Sequence, residues 1–332
     1  MNFFSVLIPV YNVEQYIDGC LESVFFQNFT DFEVVLVNDG STDGSGAVCD
    51  RWQERYPQQI RVIHRENQGI SRTREQLFRE AKGAYIVSLD SDDKLYPDAL
   101  RQLHECICRN QADMVIYQYS SEEESSEPFR EYPFEEDTPY TIATDAKLRQ
   151  LMGATDLMPS IWSKAFRREL VEGISVPGDI TEGEDLLFSI YIMERAQRIF
   201  FLDRVLYFHS YNETGITKSY NPRLFRSMKK VNMLQRSAAE QWDPTGQLAS
   251  DCDVGSLDRY YRILCRVYYA DCPVKEKRLR LREIVEDPEF LRVYSKRKQL
   301  TGIKPRLVLP LSRRHIFAPF LAFAALKGRP HR

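Results

Sequence analysis

Apolar positions along the first 120 residues change their period at regular intervals. Phe3 to Ile8 is an apolar run closed by Pro9, the pattern of a strand buried on both faces. Asn12 then opens a predicted helix, with Gln15 in capping-box position and Ile17, Cys20, Leu21, Val24 and Phe25 as its inward stripe. Phe32 to Val37 repeats the strand pattern and ends in Asn38, Asp39, Gly40, Ser41, Thr42, Asp43 and Gly44, a dense set of turn and cap residues. A helix with Val48 and Trp52 follows, then a short strand Ile60 to Ile63 and a helix Ile70 to Lys82 stopped by Gly83. A strand Tyr85 to Leu89, a helix from Pro97 to about Asn110 and a strand Met114 to Tyr119 complete the series. Strands and helices alternating in this way predict an α/β class with a mainly parallel central sheet, whose ligands sit beyond the carboxyl ends of the strands.

The rhythm then breaks. Between Glu122 and Asp137, acidic residues face a single Arg130, and Pro128 and Pro133 interrupt any period, so this reads as an exposed excursion. A helix is predicted over Thr144 to Met152 and a strand at Leu206 to Phe208. After Tyr220 the pattern is helical, over Leu224 to Trp242, Leu257 to Tyr269 and Lys275 to Val285. The predicted division is residues 1–220 as one domain, in halves 1–120 and 121–220, followed by an appended helical region over 221–332. Tyr260, Tyr261, Tyr268 and Tyr269 are expected to pack against the first domain.

Charge adds an asymmetry that the net value of −3 conceals. Residues 275–332 hold 16 Lys and Arg against 5 Asp and Glu, while the preceding chain holds 29 against 43. A basic end on an acidic body suits an anionic surface. Within it, Phe317, Phe320, Leu321, Phe323 and Leu326 lie between Arg313-Arg314 and Lys327-Gly328-Arg329. That stretch is too short to span a bilayer and suits lying on one, so residues 305–332 are read as a contact with an anionic membrane; capping the core or joining a homo-oligomer suits the same pattern. No recognition motif for nucleic acid accompanies the basic residues, and no nucleic-acid partner is expected. Seven cysteines without paired Cys-x-x-Cys spacing, no signal-peptide pattern and no apolar window of ~18 residues point to a cytoplasmic protein, peripheral on the inner face of the membrane.

Candidate chemistry gathers at two strand ends: Asp39 after the second strand, and Asp90, Ser91, Asp92 and Asp93 after the fourth. Carboxylates crowded together are costly unless a cation or hydrogen-bond donors compensate them. A hard divalent ion, Mg or Mn, wants such oxygens and commonly completes its shell with phosphate and water, which points to a nucleoside diphosphate as partner. Rival phosphate motifs fail on spacing: there is no G-x-x-x-x-G-K-[ST] loop, and Gly44 and Gly46 lack the rest of a G-x-G-x-x-G fingerprint.

Four motifs in order, Ser5 to Asn12, Val37 to Ser45, Asn67 to Ser71 and Leu89 to Asp93, resemble the nucleotide-sugar domain of the inverting family-two glycosyltransferases. Trp162 to Leu170 and Glu182 to Phe188 resemble the bacterial members that build capsule, exopolysaccharide or lipopolysaccharide. The resemblance covers about residues 3–215 and implies a GT-A fold and transfer of a sugar from a UDP-sugar to a hydroxyl of a polysaccharide or lipid-linked glycan. It further implies that Pro9 and Tyr11 border the base, Asp39 bonds the uracil-like ring, and Asp90 faces the ribose or the surroundings of the metal. Asp92 is then the principal metal link with Asp93 adjacent, and Asp185 the catalytic base. Arg74 keeps its place in the triplet Thr73-Arg74-Glu75, while Glu75 stands where such enzymes carry Asn.

Each of these residues also has a plainer reading. Glu184 and Asp185 suit the first turn of any helix, Asp39 suits an Asx turn, and Arg74 a solvated helix face. Trp162 is core or a sugar platform, and Lys164 reaches the acceptor or pairs with a carboxylate; with Glu184 they are taken as acceptor-side. His209 and Lys218 are placed on the donor side. The alternatives to an inverting transferase are a binding or scaffold subunit without turnover, a retaining transferase, and a nucleotidyltransferase.

Overall fold

A computed structural model describes residues 2–122, 133–154, 160–210, 221–300 and 303–319. They divide into two compact units. The first contains β1 (Phe4–Val10), α1 (Ile17–Phe25), β2 (Phe32–Asp39), α2 (Ser45–Arg55), β3 (Ile60–Arg65), α3 (Ile70–Glu80), β4 (Tyr85–Ser88), β5 (Lys94–Leu95), α4 (Ala99–Asn110) and β6 (Met114–Ser120). After α5 (Ala146–Ala154), which begins in this unit, come β7 (Lys164–Arg167), α6 (Glu184–Arg195) and β8 (Ile199–Phe208).

These strands form one sheet in the order β3-β2-β1-β4-β7-β6-β8-β5. The first four run parallel, as do β6 and β8; β7 is antiparallel to both its neighbours and β5 to β8. The parallel half matches the predicted alternation, and the far half is mixed. Every residue of β1 is buried. Phe4, Val6, Ile8 and Val10 share a core with Ile17, Leu21, Val48, Trp52 and Leu100, while Leu7 is buried on the other face, where α3 packs against β1 and β2. From β1 the chain moves outward through β2 and β3, then returns to place β4 on the other side of β1. That reversal between β1 and β4 is where parallel α/β sheets place their ligands, and Tyr11 and Asp90 follow the carboxyl ends of those two strands.

Local predictions shift where distant bonds outcompete local ones. Asn12 does not cap α1: it sits at φ 53°, its side chain accepts from Thr42 N at 2.8 Å, and the helix begins five residues later. Val13 N donates to Ser45 Oγ at 2.8 Å and Glu14 N to Asp43 at 3.1 Å, so this stretch is bound to the loop before α2. The α3 helix ends at Glu80 with Ala81 as its cap, two residues before the prediction, so Gly83 is required by packing and not by the helix end. A Cβ there would lie 2.6 Å from Phe4 C and Ser5 N, and its N–H donates to Ser5 Oγ at 2.8 Å.

The second unit contains residues 149–154, 179–183 and the described residues from 221 onward. Its helices are α7 (Leu224–Trp242), α8 (Gln247–Tyr269), α9 (Val274–Glu286), α10 (Pro288–Tyr294) and α11 (Ile303–Arg313). The α8 helix starts ten residues before the prediction because Asp243 accepts from Thr245 N and Leu248 N, and Leu248, Ala249 and Cys252 give the added turns an apolar face. Tyr260 packs on Phe225 and Phe290 and Tyr268 bonds Ser312, so both tyrosines serve their own unit. Of the predicted apolar stretch at the basic end, Ile316 is exposed and Phe317 buried; residues 320–332 lie outside the described residues, as do 123–132 of the acidic excursion. Among the described residues no helix is long and apolar enough to cross a membrane.

Gly83→Ala should cost about 1–3 kcal/mol through overpacking against β1, read as a fall of several degrees in the melting temperature.

Candidate active site

The acidic loop after β4 is fastened from within. Asp93 is buried, its Oδ2 accepting from Tyr207 Oη at 2.6 Å and its Oδ1 from Ser210 N at 2.7 Å. Burial first, then the charges of Asp90 and Asp92, push its carboxyl up to about 8. Ser210 Oγ donates to the Asp92 carbonyl and Asp90 N to Tyr207 Oη, so the end of β8 holds the loop at three points. Asp90 and Asp92 remain partly exposed. Tyr207 is itself backed by Trp162, stacked at 4.5 Å, and His209 lies exposed 5.4 Å from Trp162. Trp162 is therefore core, supporting the acidic loop through Tyr207.

A single guanidinium joins this loop to the start of α6. Arg74 projects from α3 and is 4% exposed. Its Nη2 donates to Asp90 Oδ1 at 3.0 Å and its Nη1 to Ser88 Oγ at 3.1 Å. Its Nε lies 3.0 Å from Asp185 Oδ1 and 3.6 Å from Glu184 Oε1, at ion-pair distance without hydrogen-bond alignment. Burial works against the guanidinium's charge, but Asp185, Asp90 and Glu184 outweigh it and keep the side chain protonated. Asp185 is pushed up to about 7, by burial foremost; Glu184 and Asp90 add to the rise, and Arg74 and Lys164 oppose it. A carboxyl in that range suits proton transfer near neutral pH.

The third group lies at the end of β2. Asp39 is buried, its Oδ1 accepting from Arg65 Nε at 2.7 Å and Gln68 N at 3.0 Å, and its Oδ2 from Gly69 N at 2.8 Å. Gly69 adopts φ 86° to present that amide to the carboxylate. Asp39 thus holds the loop before α3 and not the β2–α2 turn of the Asx reading, where Asn38 Oδ1 accepts from Ser41 N at 3.1 Å. Pro9 is buried, and Tyr11 is 44% exposed at the end of β1.

The structure brings together Asp90, Asp92, Asp93, Arg74, Glu184, Asp185 and Lys164, with Trp162 behind them. Lys164 is fully buried, so it faces the interior and not an acceptor at the surface. Lys218 lies outside the described residues. Two residues escaped the sequence reading. Arg65 is the counter-charge of Asp39, and Glu75, standing where Asn was expected, accepts from Ser175 Oγ and Val176 N at 2.9 Å each and pairs with Arg72. The one sequence signal for Glu75 was its departure from the family triplet. Among the described residues no three His, Cys, Asp or Glu side chains are arranged to hold an ion by themselves.

Asp39→Ala should destabilise the chain by about 2–4 kcal/mol, because it leaves the half-buried Arg65 without its counter-charge; thermal unfolding of this variant beside Arg65→Met measures it.

Comparison with known proteins gives this geometry its setting. The model of glycosyl transferase family 2 matches residues 5–173. The uncharacterized glycosyltransferase EpsJ of Bacillus subtilis is 30% identical over 259 residues, which is 75% of this chain and 73% of EpsJ. The putative glycosyltransferase EpsH of the same organism is 30% identical over 229 residues, 67% of this chain and 65% of EpsH. Among solved structures, residues 1–349 of Staphylococcus aureus TarS in complex with UDP-GlcNAc superimpose with a TM-score of 0.69 at 21% identity, covering 100% of this chain and 93% of that one. That likeness is one of fold, the GT-A-like sheet with helices appended. On the family match and the EpsJ identity together, this chain belongs to glycosyl transferase family 2 and is a glycosyltransferase.

Proposed function

We propose that the protein transfers a sugar, with inversion, from a UDP-sugar to a hydroxyl of a bacterial polysaccharide or lipid-linked glycan, in a metal-dependent reaction. The observation that carries this reading is the Arg74 bridge, with an acidic strand end on one side and a carboxyl poised near neutrality on the other. Supporting the donor class, TarS, a poly(ribitol-phosphate) beta-N-acetylglucosaminyltransferase, is 25% identical over 219 residues and has been solved with UDP-GlcNAc.

The donor set fits a divalent cation that takes most of its ligands from diphosphate and water: crowded carboxylates, one driven toward protonation by burial and then by its neighbours' charges, favour an added positive charge. Asp92 would hold Mn or Mg, whereas Asp93, expected as an adjacent ligand, is buried with both oxygens accepting from Tyr207 and Ser210 and fixes the loop behind it; a bound ion would neutralise charge on the departing diphosphate.

The chain's own residues do the rest. Tyr11 and Pro9 border the uracil and Asp39 shapes its loop. Arg74 holds Asp90 toward the ribose and diphosphate while keeping Asp185 close. As the acceptor oxygen bonds the anomeric carbon, the bond to the diphosphate oxygen breaks and the hydroxyl proton passes to Asp185. Glu184 flanks that carboxyl on the acceptor side, and Trp162 steadies the donor side through Tyr207. His209 lies at the exposed edge of the same aromatic group, and Lys218 is assigned with it to the donor.

Membrane contact belongs to the same proposal. Leu307 and Ile316 are exposed, as are Arg306 and Arg314, a combination suited to anionic headgroups.

Asp185→Asn should lower kcat by about 10²–10⁴ with UDP binding retained. Because the carboxylate is the active form, wild-type turnover should fall as pH drops through about 7. UDP release from labelled UDP-sugars, with chelator and then with Mn or Mg restored, tests the donor and the metal. Charge reversal at Arg314, Lys327 and Arg329 should weaken cosedimentation with anionic vesicles at least tenfold, on the order of 1 kcal/mol per basic residue.

A further inference from the structure

Lys164 is an anomaly of the sheet. It opens β7, an internal strand between β4 and β6, in which Ala165 and Phe166 are buried as an interior strand requires. Its own side chain is fully buried too. A buried ammonium is expensive unless an opposite charge compensates it. Its Nζ donates to the Ser160 carbonyl, a neutral acceptor. Val87 pairs with Ala165, so Lys164 follows level with Ser88, which Arg74 bonds, and it shares its face of β7 with Phe166, whose ring meets Phe78 of α3, itself against Phe188 of α6. On that face burial draws the ammonium down to about 7, and the charge that works against this is Asp185.

The charges around Asp185 come from four directions: Glu184 on its own helix, Arg74 on α3, Asp90 after β4, and Lys164 on β7. Arg74 is already divided. It gives its aligned hydrogen bonds to Asp90 and Ser88, and toward Asp185 it offers proximity alone. Glu184 and Asp90 both disfavour the charge on Asp185, and a second cation at hand favours it.

We propose that Lys164 is a positioning residue for the transfer reaction, the buried counter-charge that holds Asp185 as the carboxylate able to take the acceptor's proton. The inference rests on Asp185 being the base. It does not place Lys164 on the substrate; the ammonium acts through Asp185 from inside the sheet.

A merely structural lysine, tying Ser160 to the strand, predicts something different. Removing it would then lower turnover by the same factor at every pH. As the counter-charge, its removal disfavours the carboxylate and moves the acid limb of the rate profile to higher pH. The experiment is the pH dependence of kcat for Lys164→Met in the full chain. The limb should move up by about one pH unit, so that the loss at pH 6 exceeds the loss at pH 9 by about tenfold. In Lys164→Ala, added ethylamine should draw the limb back down. A second measurement leaves Lys164 in place: in Asp185→Asn, the Lys164 ammonium followed by ¹³C-lysine NMR should titrate at lower pH than in the wild type. An unmoved limb in a folded Lys164→Met, or an unmoved lysine midpoint in Asp185→Asn, overturns the proposal. Wild-type turnover by Asp185→Asn would overturn the base assignment and this inference with it. An inactive Asp185→Asn beside an unmoved limb overturns the role of Lys164 alone.

Discussion

The site depends on one buried guanidinium. Arg74 has too little contact with water to carry its charge unaided, and Asp90, Glu184 and Asp185 stand too close together to carry theirs without it. Neither side of this arrangement is stable alone. Because Arg74 belongs to α3, Asp90 to the end of β4 and the other two carboxylates to α6, the same attraction that neutralises the cluster also fixes three elements relative to one another. Charge balance here sets the geometry of the site.

A second support works from the opposite side of the acidic loop. Trp162 stacks on Tyr207, Tyr207 donates to Asp93, and Ser210 closes the other oxygen of that carboxylate. Two neighbouring aspartates in the sequence therefore have different surroundings. Asp93 spends both oxygens on the protein's own donors, while Asp92 stays partly exposed.

The parallel half of the sheet was legible because its information is local. An apolar run, a turn cluster and a helical stripe repeat with little ambiguity, and the strand ends bearing Asp39 and Asp90 followed from them. In the far half β6 was legible almost to the residue and β8 only at its end, whereas β7 is a four-residue antiparallel strand and β5 has only two residues, so neither leaves a period to read. The position of Asn12 was missed because its partners, Ser41 and Thr42, are about thirty residues away. Lys164 reads as a surface residue by composition, and only the sheet order shows that it is interior. Similarly, the motif that named Asp39 gave no sign of Arg65, whose role appears once β2 and β3 pair and bring residues 39 and 65 into register.

Glu75 carries a consequence for any attempt to re-engineer the chain. Adjacent residues of α3 perform separate tasks: Arg74 reaches the acidic cluster, and Glu75 grips the Val176 amide and Ser175 hydroxyl. A graft that replaced the 172–178 segment to admit a new acceptor would release that grip, and the freed helix would carry Arg74 with it. A chimera of this kind keeps its chemistry only if the incoming loop brings an amide and a hydroxyl to the same carboxylate.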